Sequence, residues 1–285
     1  MEMRLISLLE TYLECTQDFV NNTIFRIAAQ FANVFIVICH KQTSVCRKQP
    51  IFAIVNVVGS TIAKLADYTL YTWAGPEIAV ATTKGYTTQL IVMYLFAIYA
   101  AKKLEKISAS EYKELIEELK SLPKRIQQVL DMNPSIPELA KKYHSSDSMF
   151  FIGRNTDYAV ALEAALKMKE ISYIHAESYA AGELKHGTIA LIEEHCPVIA
   201  LCCNEKMTEK TMNNIVEVKA RGAEVLAVTF KDNQKIVSLA DDMIYVPRIE
   251  TIFTAAVEIV PLQLLAYYVA KENGCDIDKP KNLAK

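Results

Sequence analysis

Apolar runs alternate with helix-patterned stretches along most of the chain. IFAIV (51–55) and VLAVT (225–229) are β-branched runs typical of buried parallel strands, and MFFIG (149–153) and VIALCCN (198–204) predict two more. ALEAALKMKEISYI predicts a helix after the strand at 149–153, and TEKTMNNIVEVKA predicts another that Gly222 stops. Strands that alternate with helices predict a mainly parallel sheet with helices on both faces.

A displacement of 174 positions aligns two parts of the chain without a gap. Ile62, Leu65, Ala66, Asp67, Tyr71, Ile78, Ala81, Gln89, Leu90 and Tyr94 fall on Ile236, Leu239, Ala240, Asp241, Tyr245, Ile252, Ala255, Gln263, Leu264 and Tyr268. Both parts have the order strand, short helix, strand, long apolar helix. The chain therefore contains a duplicated domain.

The first copy is shorter than the second. From Met149, 76 residues precede Val225, whereas only 50 precede Ile51, so the leading strands of the first copy cannot all be present. NVFIVICH (33–40) predicts one improvised edge strand. We expect a partial first domain at 1–103 with 1–50 divergent or scrambled, a helical linker at 104–148, a second domain at 149–271 and a tail at 272–285.

Composition excludes several classes of protein. A net charge of −2 provides no global basic field for nucleic-acid binding. Seven cysteines without CxxC spacing indicate reduced thiols, so we expect a cytoplasmic location, with Cys202 and Cys203 as buried small apolar residues. MEMRLISLLE lacks the basic start of a signal peptide, and the uncharged run at 85–101 predicts a buried helix rather than a membrane span. The histidines have no metal-ligand spacing, so we expect no metal and no cofactor.

The most polar segment lies at 167–187. Glu163, Lys167 and Glu170 share one helix face, which by itself is usually a solvated, salt-bridged stripe. AAGELKHG, after that helix, places Lys185 and His186 in a loop between two glycines, where side chains can face a cleft.

Three segments carry a family resemblance. ALKMKEISYIHAESYAAGELKHG (165–187) closely resembles a signature of the isomerase half of the glutamine–fructose-6-phosphate aminotransferases. NVVGSTIAKLADYTLYTWAGPEIAVATTKGYTTQL (56–90) is similar to the end of that family's first sugar-isomerase (SIS) domain, and VPLQLLAYYVAKENGCDIDKPKNLAK (260–285) to its C-terminal tail. The resemblance implies an α/β fold of two flavodoxin-like SIS domains, each a three-layer α-β-α arrangement with a mainly parallel sheet, the first being incomplete.

The resemblance also implies a reaction, the conversion of fructose-6-phosphate and ammonia into glucosamine-6-phosphate. By matching position, Glu170 would move a proton between C1 and C2 of the sugar, with Lys167 assisting. His186 would open the sugar ring from a neighbouring subunit, which implies a homodimer. Lys285 would form a Schiff base with the open-chain ketose. These residue types suit such chemistry, because a sheltered carboxylate can act as a base near neutral pH and an imidazole can both give and accept a proton.

Val80, Thr82 and Ala284 match substrate-binding positions of the family. Two departures limit the expected activity. The family's phosphate loop lies upstream of the matched part, and CHKQTSVCRK, the nearest candidate here, has no glycine turn. The chain begins Met1-Glu2, without the N-terminal cysteine of a glutaminase domain, so it would need free ammonia. The alternative is a non-catalytic sugar-phosphate-binding or dimerisation module, because a fold does not decide function.

Overall fold

A computed structural model describes residues 51–283 of the chain. The strands are β1 Phe52–Val55, β2 Tyr68–Tyr71, β3 Ser148–Gly153, β4 His175–Ala180, β5 Pro197–Leu201, β6 Glu224–Phe230 and β7 Asp242–Val246. The helices are α1 Thr61–Leu65, α2 Lys84–Lys103, α3 Ala109–Met132, α4 Ile136–Tyr143, α5 Thr156–Ser172, α6 Thr208–Lys219, α7 Gln234–Val237 and α8 Thr254–Glu272. The edge strand expected at 33–40, the candidate phosphate loop CHKQTSVCRK (39–48), and Ala284 and Lys285 lie outside the described residues.

The described residues form two compact units. The first comprises 51–78 and 82–117, and the second comprises 79–81 and 118–283. In the first unit, β1 and β2 pair in parallel. Phe52 and Ile54 of β1 pack against Met93 of α2. The boundaries expected at 103 and 148 remain a prediction, although the segment between them does form helices, α3 and α4.

The second unit contains a parallel five-stranded sheet in the order β4-β3-β5-β6-β7. This order is the flavodoxin-like arrangement: β4 lies on one side of β3, the first strand of the sheet in the sequence, and β5, β6 and β7 lie on the other side. Phe150 and Ile152 on one face pack with Ile215 and Val218 of α6. The residues that alternate with them, such as Phe151, are also buried, so helices cover both faces of the sheet. The expected α/β, flavodoxin-like fold is confirmed.

The repeat is confirmed at the level of single hydrogen bonds. Phe52 is paired with Tyr68 in the first unit, and Leu226 with Asp242 in the second, each displaced by 174 positions. A carboxylate oxygen of Asp67 accepts the N–H of Ile51 at 2.6 Å, and the equivalent Asp241 accepts that of Val225 at 2.8 Å. In both copies an aspartate after the short helix therefore fixes the start of the preceding strand.

Three local features differ from the expectation or extend it. The sequence pattern did not predict β4, whose residues, HAESYA, are not β-branched. Helix α5 ends at Ser172 rather than Ile174, because Tyr173 adopts the left-handed conformation with φ 63°. In the expected helical linker, Pro123 lies inside the continuous helix α3 without ending it.

One helix segment in the described part, Thr251–Glu272, is long and apolar enough to cross a membrane, but 67% of its most apolar window is buried. That burial is typical of a core helix. The run at 85–101 forms most of α2, as expected of a helix, with Tyr86, Leu90, Met93, Tyr94 and Ile98 buried.

Candidate active site

A buried ion-paired row on α5 forms the centre of the candidate site. Nζ of Lys167 lies 2.6 Å from Oε2 of Glu170 and 3.4 Å from Oε1 of Glu163. Spacings of three and four residues place all three side chains on one face of the helix. Lys167 and Glu163 are each 1% exposed, whereas Glu170 is 17% exposed. The row is therefore an internal charge network and not a solvated stripe, and it reaches solvent at Glu170.

Burial is the main influence on the ionisation of Glu163 in this row. Burial raises the pKa of the Glu163 carboxyl to about 7, because the charged form loses its hydration. The nearby Lys167 cation opposes this increase, and Glu170 adds to it. Near neutral pH, Glu163 is thus partly protonated, and the cation has its shortest contact with Glu170.

The C-terminal tail is held at the end of α5. The phenol oxygen of Tyr173 accepts the backbone N–H of Lys281 at 2.7 Å, and Nζ of Lys281 lies 4.3 Å from the centre of the Tyr173 ring. Tyr173 follows Glu170 by three residues, so the tail passes the solvent end of the charged row. Lys285 lies four residues beyond Lys281, outside the described residues.

A second contact holds the tail at Val80. The backbone N–H of Val80 donates to the carbonyl of Asp278 at 3.1 Å. Asp276 stabilises the same part of the tail, because its side chain accepts the N–H groups of Asp278 and Lys279. One residue expected to bind the sugar therefore contacts the segment that leads to Lys285.

Thr82 lies in the first unit, before helix α2. Its hydroxyl is 3.5 Å from Oε2 of Glu77, whose other oxygen accepts the N–H of Gly85 at 3.1 Å. A methyl group on Gly85 would lie 2.5 Å from that oxygen, so the close approach requires glycine here. The backbone N–H at the start of α2 thus binds the carboxylate of Glu77.

His186 lies on an exposed turn. The segment Leu184–His186 forms a single 3₁₀ turn, closed by the N–H of His186 donating to the carbonyl of Glu183 at 3.0 Å. Leu184 is 1% exposed and anchors the turn in the core. Within 51–283 the imidazole has no hydrogen-bond or ion-pair partner, so its position depends on the backbone of this loop.

A family model described as the SIS domain matches residues 41–99 and 142–272, which is more than half of the chain. The chain belongs to the SIS domain family. It is 50% identical over 235 residues to a glutamine–fructose-6-phosphate aminotransferase (isomerizing) of Clostridium tetani, covering 82% of this chain and 39% of that protein. The enzyme of the same name from Caldanaerobacter subterraneus is 52% identical over the same length and with the same coverage.

Solved structures agree with this assignment. The C-terminal domain of glucosamine-fructose-6-phosphate aminotransferase from Francisella tularensis superimposes with a TM-score of 0.79 at 34% identity, covering 84% of this chain and 67% of that domain. The resemblance to the isomerase part of the aminotransferases is thereby confirmed. This SIS chain spans about two fifths of the length of the curated relatives it matches.

The second SIS domain fills its own anion position with a carboxylate. At the switch point of its sheet, where β3 and β5 end side by side, Oδ2 of Asp157 accepts the N–H groups of Cys203 and Asn204, both at 3.0 Å. These amides follow β5. Burial raises the pKa of Asp157 to about 7 and that of Glu258, also fully buried, well above its usual range. The loop CCNEKMTE (202–209), which contains these amides, is therefore closed to a phosphate.

Sequence reasoning missed one residue of this SIS site, Tyr173, and the burial of another, Glu163. In the sequence, Tyr173 is not distinguished from any other tyrosine that follows a helix. Its contact with the tail depends on a left-handed backbone conformation, which no simple sequence pattern predicts. Glu163 was placed correctly on the face of Lys167 and Glu170, but its burial was not foreseen. The apolar residues around it, in AVALEAALKM, were the available signal.

Proposed function

We propose that this chain isomerises fructose-6-phosphate towards glucosamine-6-phosphate, with ammonia supplied from outside the chain. The single observation that carries the proposal is the ion pair of Lys167 and Glu170, which reaches solvent where Tyr173 holds the tail. The aminotransferases that resemble the chain are named as isomerizing enzymes. A carboxylate there can act on a bound sugar while the lysine remains protected from water.

Glu170 acts as the base and acid of the isomerisation. Its carboxylate removes a proton from C1 of the open-chain ketose and returns it to C2, which converts a ketose into an aldose. Lys167 fixes the orientation of the carboxylate at 2.6 Å and supplies positive charge where negative charge develops on the sugar oxygens. Lys285, four residues beyond the anchored Lys281, provides the amine that condenses with the C2 carbonyl to a Schiff base and releases water. Ammonia then displaces this amine from C2, and the proton transfer from C1 to C2 gives the 2-amino aldose.

His186 opens the sugar ring. Its exposure and its lack of a partner within 51–283 suit a side chain that enters the site of a neighbouring subunit. The active form is therefore a homodimer. Light scattering should give twice the chain mass, and a monomer that still isomerises the sugar would contradict this part of the proposal.

Comparison of Glu170→Gln with the parent tests the function. The purified chain is incubated with fructose-6-phosphate, and glucose-6-phosphate is measured by a coupled dehydrogenase. We expect Glu170→Gln to lower kcat by about 10²–10⁴-fold, the usual contribution of a general base. Glu183→Gln is the matched control, because Glu183 is an exposed carboxylate on the nearby loop. An inactive parent, or an equally active Glu170→Gln, would refute the proposal.

A non-catalytic sugar-phosphate-binding or dimerisation module is the second candidate. The switch point of the second domain is occupied by Asp157 and is closed to a phosphate, so such a module would dimerise or would bind the sugar phosphate elsewhere in the chain. Calorimetry with glucosamine-6-phosphate separates the two functions. Tight binding without turnover of fructose-6-phosphate would favour the module.

The proposed reaction belongs to amino sugar synthesis, upstream of UDP-N-acetylglucosamine, and we place it in the cytoplasm. We expect a sugar phosphate as the ligand and neither nucleic acid nor a membrane as a partner. The net charge of −2 supports the exclusion of nucleic acid, because a protein that binds a phosphate backbone needs a basic surface.

A further inference from the structure

Arg154 lies against the loop that carries His186. A methyl group built on Gly182 would lie 2.8 Å from Nη2, 3.0 Å from Nη1 and 3.1 Å from Cζ of Arg154. The end of the guanidinium that carries the two Nη atoms therefore occupies the space beside the backbone of Gly182. Any larger residue at 182 would displace the guanidinium.

The arginine is itself held from the opposite side. Its Nε–H donates to Oδ1 of Asn214 on α6 at 3.0 Å, and Nδ2 of Asn214 donates to Oε2 of Glu217 at 3.0 Å. Asn214 is only 4% exposed. The side-chain amide thus has both of its ends engaged, which fixes its orientation and that of the arginine.

The loop has few other attachments. The N–H of Ala181 donates to the carbonyl of Gly153 at 2.9 Å, and Leu184 inserts into the core. Gly182 lies between these two anchors, and the face of its backbone is covered by Arg154. Within 51–283 no carboxylate forms an ion pair with Arg154, so neutralising a charge is not the reason for an arginine here. The forked guanidinium makes two contacts, from Nε to Asn214 and from its Nη end to Gly182, which a lysine amine cannot make together.

We propose that Arg154 is a positioning residue for His186, acting through Gly182. The inference rests on the proposed function, in which His186 opens the sugar ring. A rigid support from α6 through Asn214 and Arg154 holds the turn at 182–186, and it thereby limits where the otherwise unpartnered imidazole can lie. Small displacements of a catalytic group cost much activity, about 10²-fold for 1 Å.

A pair of substrates separates this role from a general structural one. Fructose-6-phosphate closes its ring through the oxygen on C5, whereas 5-deoxyfructose-6-phosphate lacks that oxygen and stays open. Arg154→Lys should lower kcat/KM for fructose-6-phosphate about 10- to 100-fold and leave that for the open-chain analogue within about twofold. Gly182→Ala, which displaces the guanidinium without removing it, should give the same selective loss. Equal losses on both substrates, or none, would overturn the proposal.

Arg221→Lys is the matched control. Arg221 is exposed and donates to the carbonyl of Glu217 at 2.6 Å, close to the same part of α6 but away from the loop. It should leave both substrates unaffected.

A second measurement does not need activity. Amide hydrogen exchange of 182–187 in the full chain should become about fivefold faster or more in Arg154→Lys, with the core amides of α5 unchanged. Carbethoxylation of His186 should change in rate, with exposed His175 and His195 as internal references. If the parent turns over neither substrate, the proposed function fails, and exchange alone decides the positioning role. Unchanged exchange would then refute it.

Discussion

Replacing Glu163 by glutamine removes a buried carboxyl group whose ionisation lowers the stability of the folded state. Glu163 is 1% exposed, and burial raises its pKa from an ordinary value near 4.5 to about 7. The folded state therefore binds a proton on Glu163 between these two pH values, where the unfolded chain releases it. Stability from this group is present below pH 4.5 and is lost as the pH rises towards and through 7.

The magnitude follows from the two pKa values. A one-unit difference in pKa corresponds to about 1.4 kcal/mol, so ionising Glu163 in the folded protein costs about 3 kcal/mol in full. Between pH 5 and pH 8 the expected loss is about 2.5 kcal/mol, most of it below pH 7. Glu163→Gln has no such titration. The free energy of unfolding of the variant minus that of the parent should therefore rise by about 2.5 kcal/mol over this range.

Urea unfolding followed by circular dichroism at pH 5 and pH 8 measures this difference. Fluorescence would not suffice, because Trp73, the one tryptophan of the sequence, lies in the first unit and Glu163 in the second. Asp157 also titrates near neutral pH, but it is present in parent and variant and cancels in the difference. Glu183→Gln, at an exposed carboxylate, should run parallel to the parent. Parallel profiles for Glu163→Gln as well would refute the electrostatic account of the row.

Two further substitutions test the residues at the two ends of α5, Asn155 before it and Tyr173 after it. Asn155 precedes α5 with φ 56° and ψ −121°, a conformation that favours glycine, and its side chain makes no cap hydrogen bond. Asn155→Gly should therefore stabilise the protein by about 1 kcal/mol in urea unfolding, whereas Asn155→Ala should not stabilise it. Tyr173→Phe removes the acceptor for the N–H of Lys281. Amide exchange at 276–283 should then accelerate while the α5 core is unchanged, and an unaltered tail would contradict the proposed anchoring.

Much of the fold could be predicted from the sequence because the duplication supplies an internal comparison. Identities such as Asp67 with Asp241 record a real constraint, since both carboxylates accept the N–H at the start of a strand. The strand β4 could not be predicted in the same way. It has no described counterpart in the first copy, and it is stabilised by its pairing with β3 more than by residues with a preference for strands.

In the candidate site too, the sequence predicted the local relations between residues but not the long-range contacts. Helical spacing correctly placed Glu163, Lys167 and Glu170 on one face, because that relation is local. Their burial depends on what packs over the helix, and the sequence of α5 does not reveal that α8 lies against it. The contact of Tyr173 with Lys281 joins residues 108 positions apart and needs the full chain path.

The two copies share one frame, and in the second copy a carboxylate occupies the switch point of the sheet. The parallel pairing and the aspartate bonds are shared, so selection for folding accounts for them in both units. At the switch point of the second sheet, Asp157 occupies the backbone amides that would otherwise receive an anion. An internal carboxyl group satisfies these buried donors without a ligand. The second domain thus needs no bound phosphate at this switch point, and under the proposed function its helix α5 and loop supply Glu170 and His186.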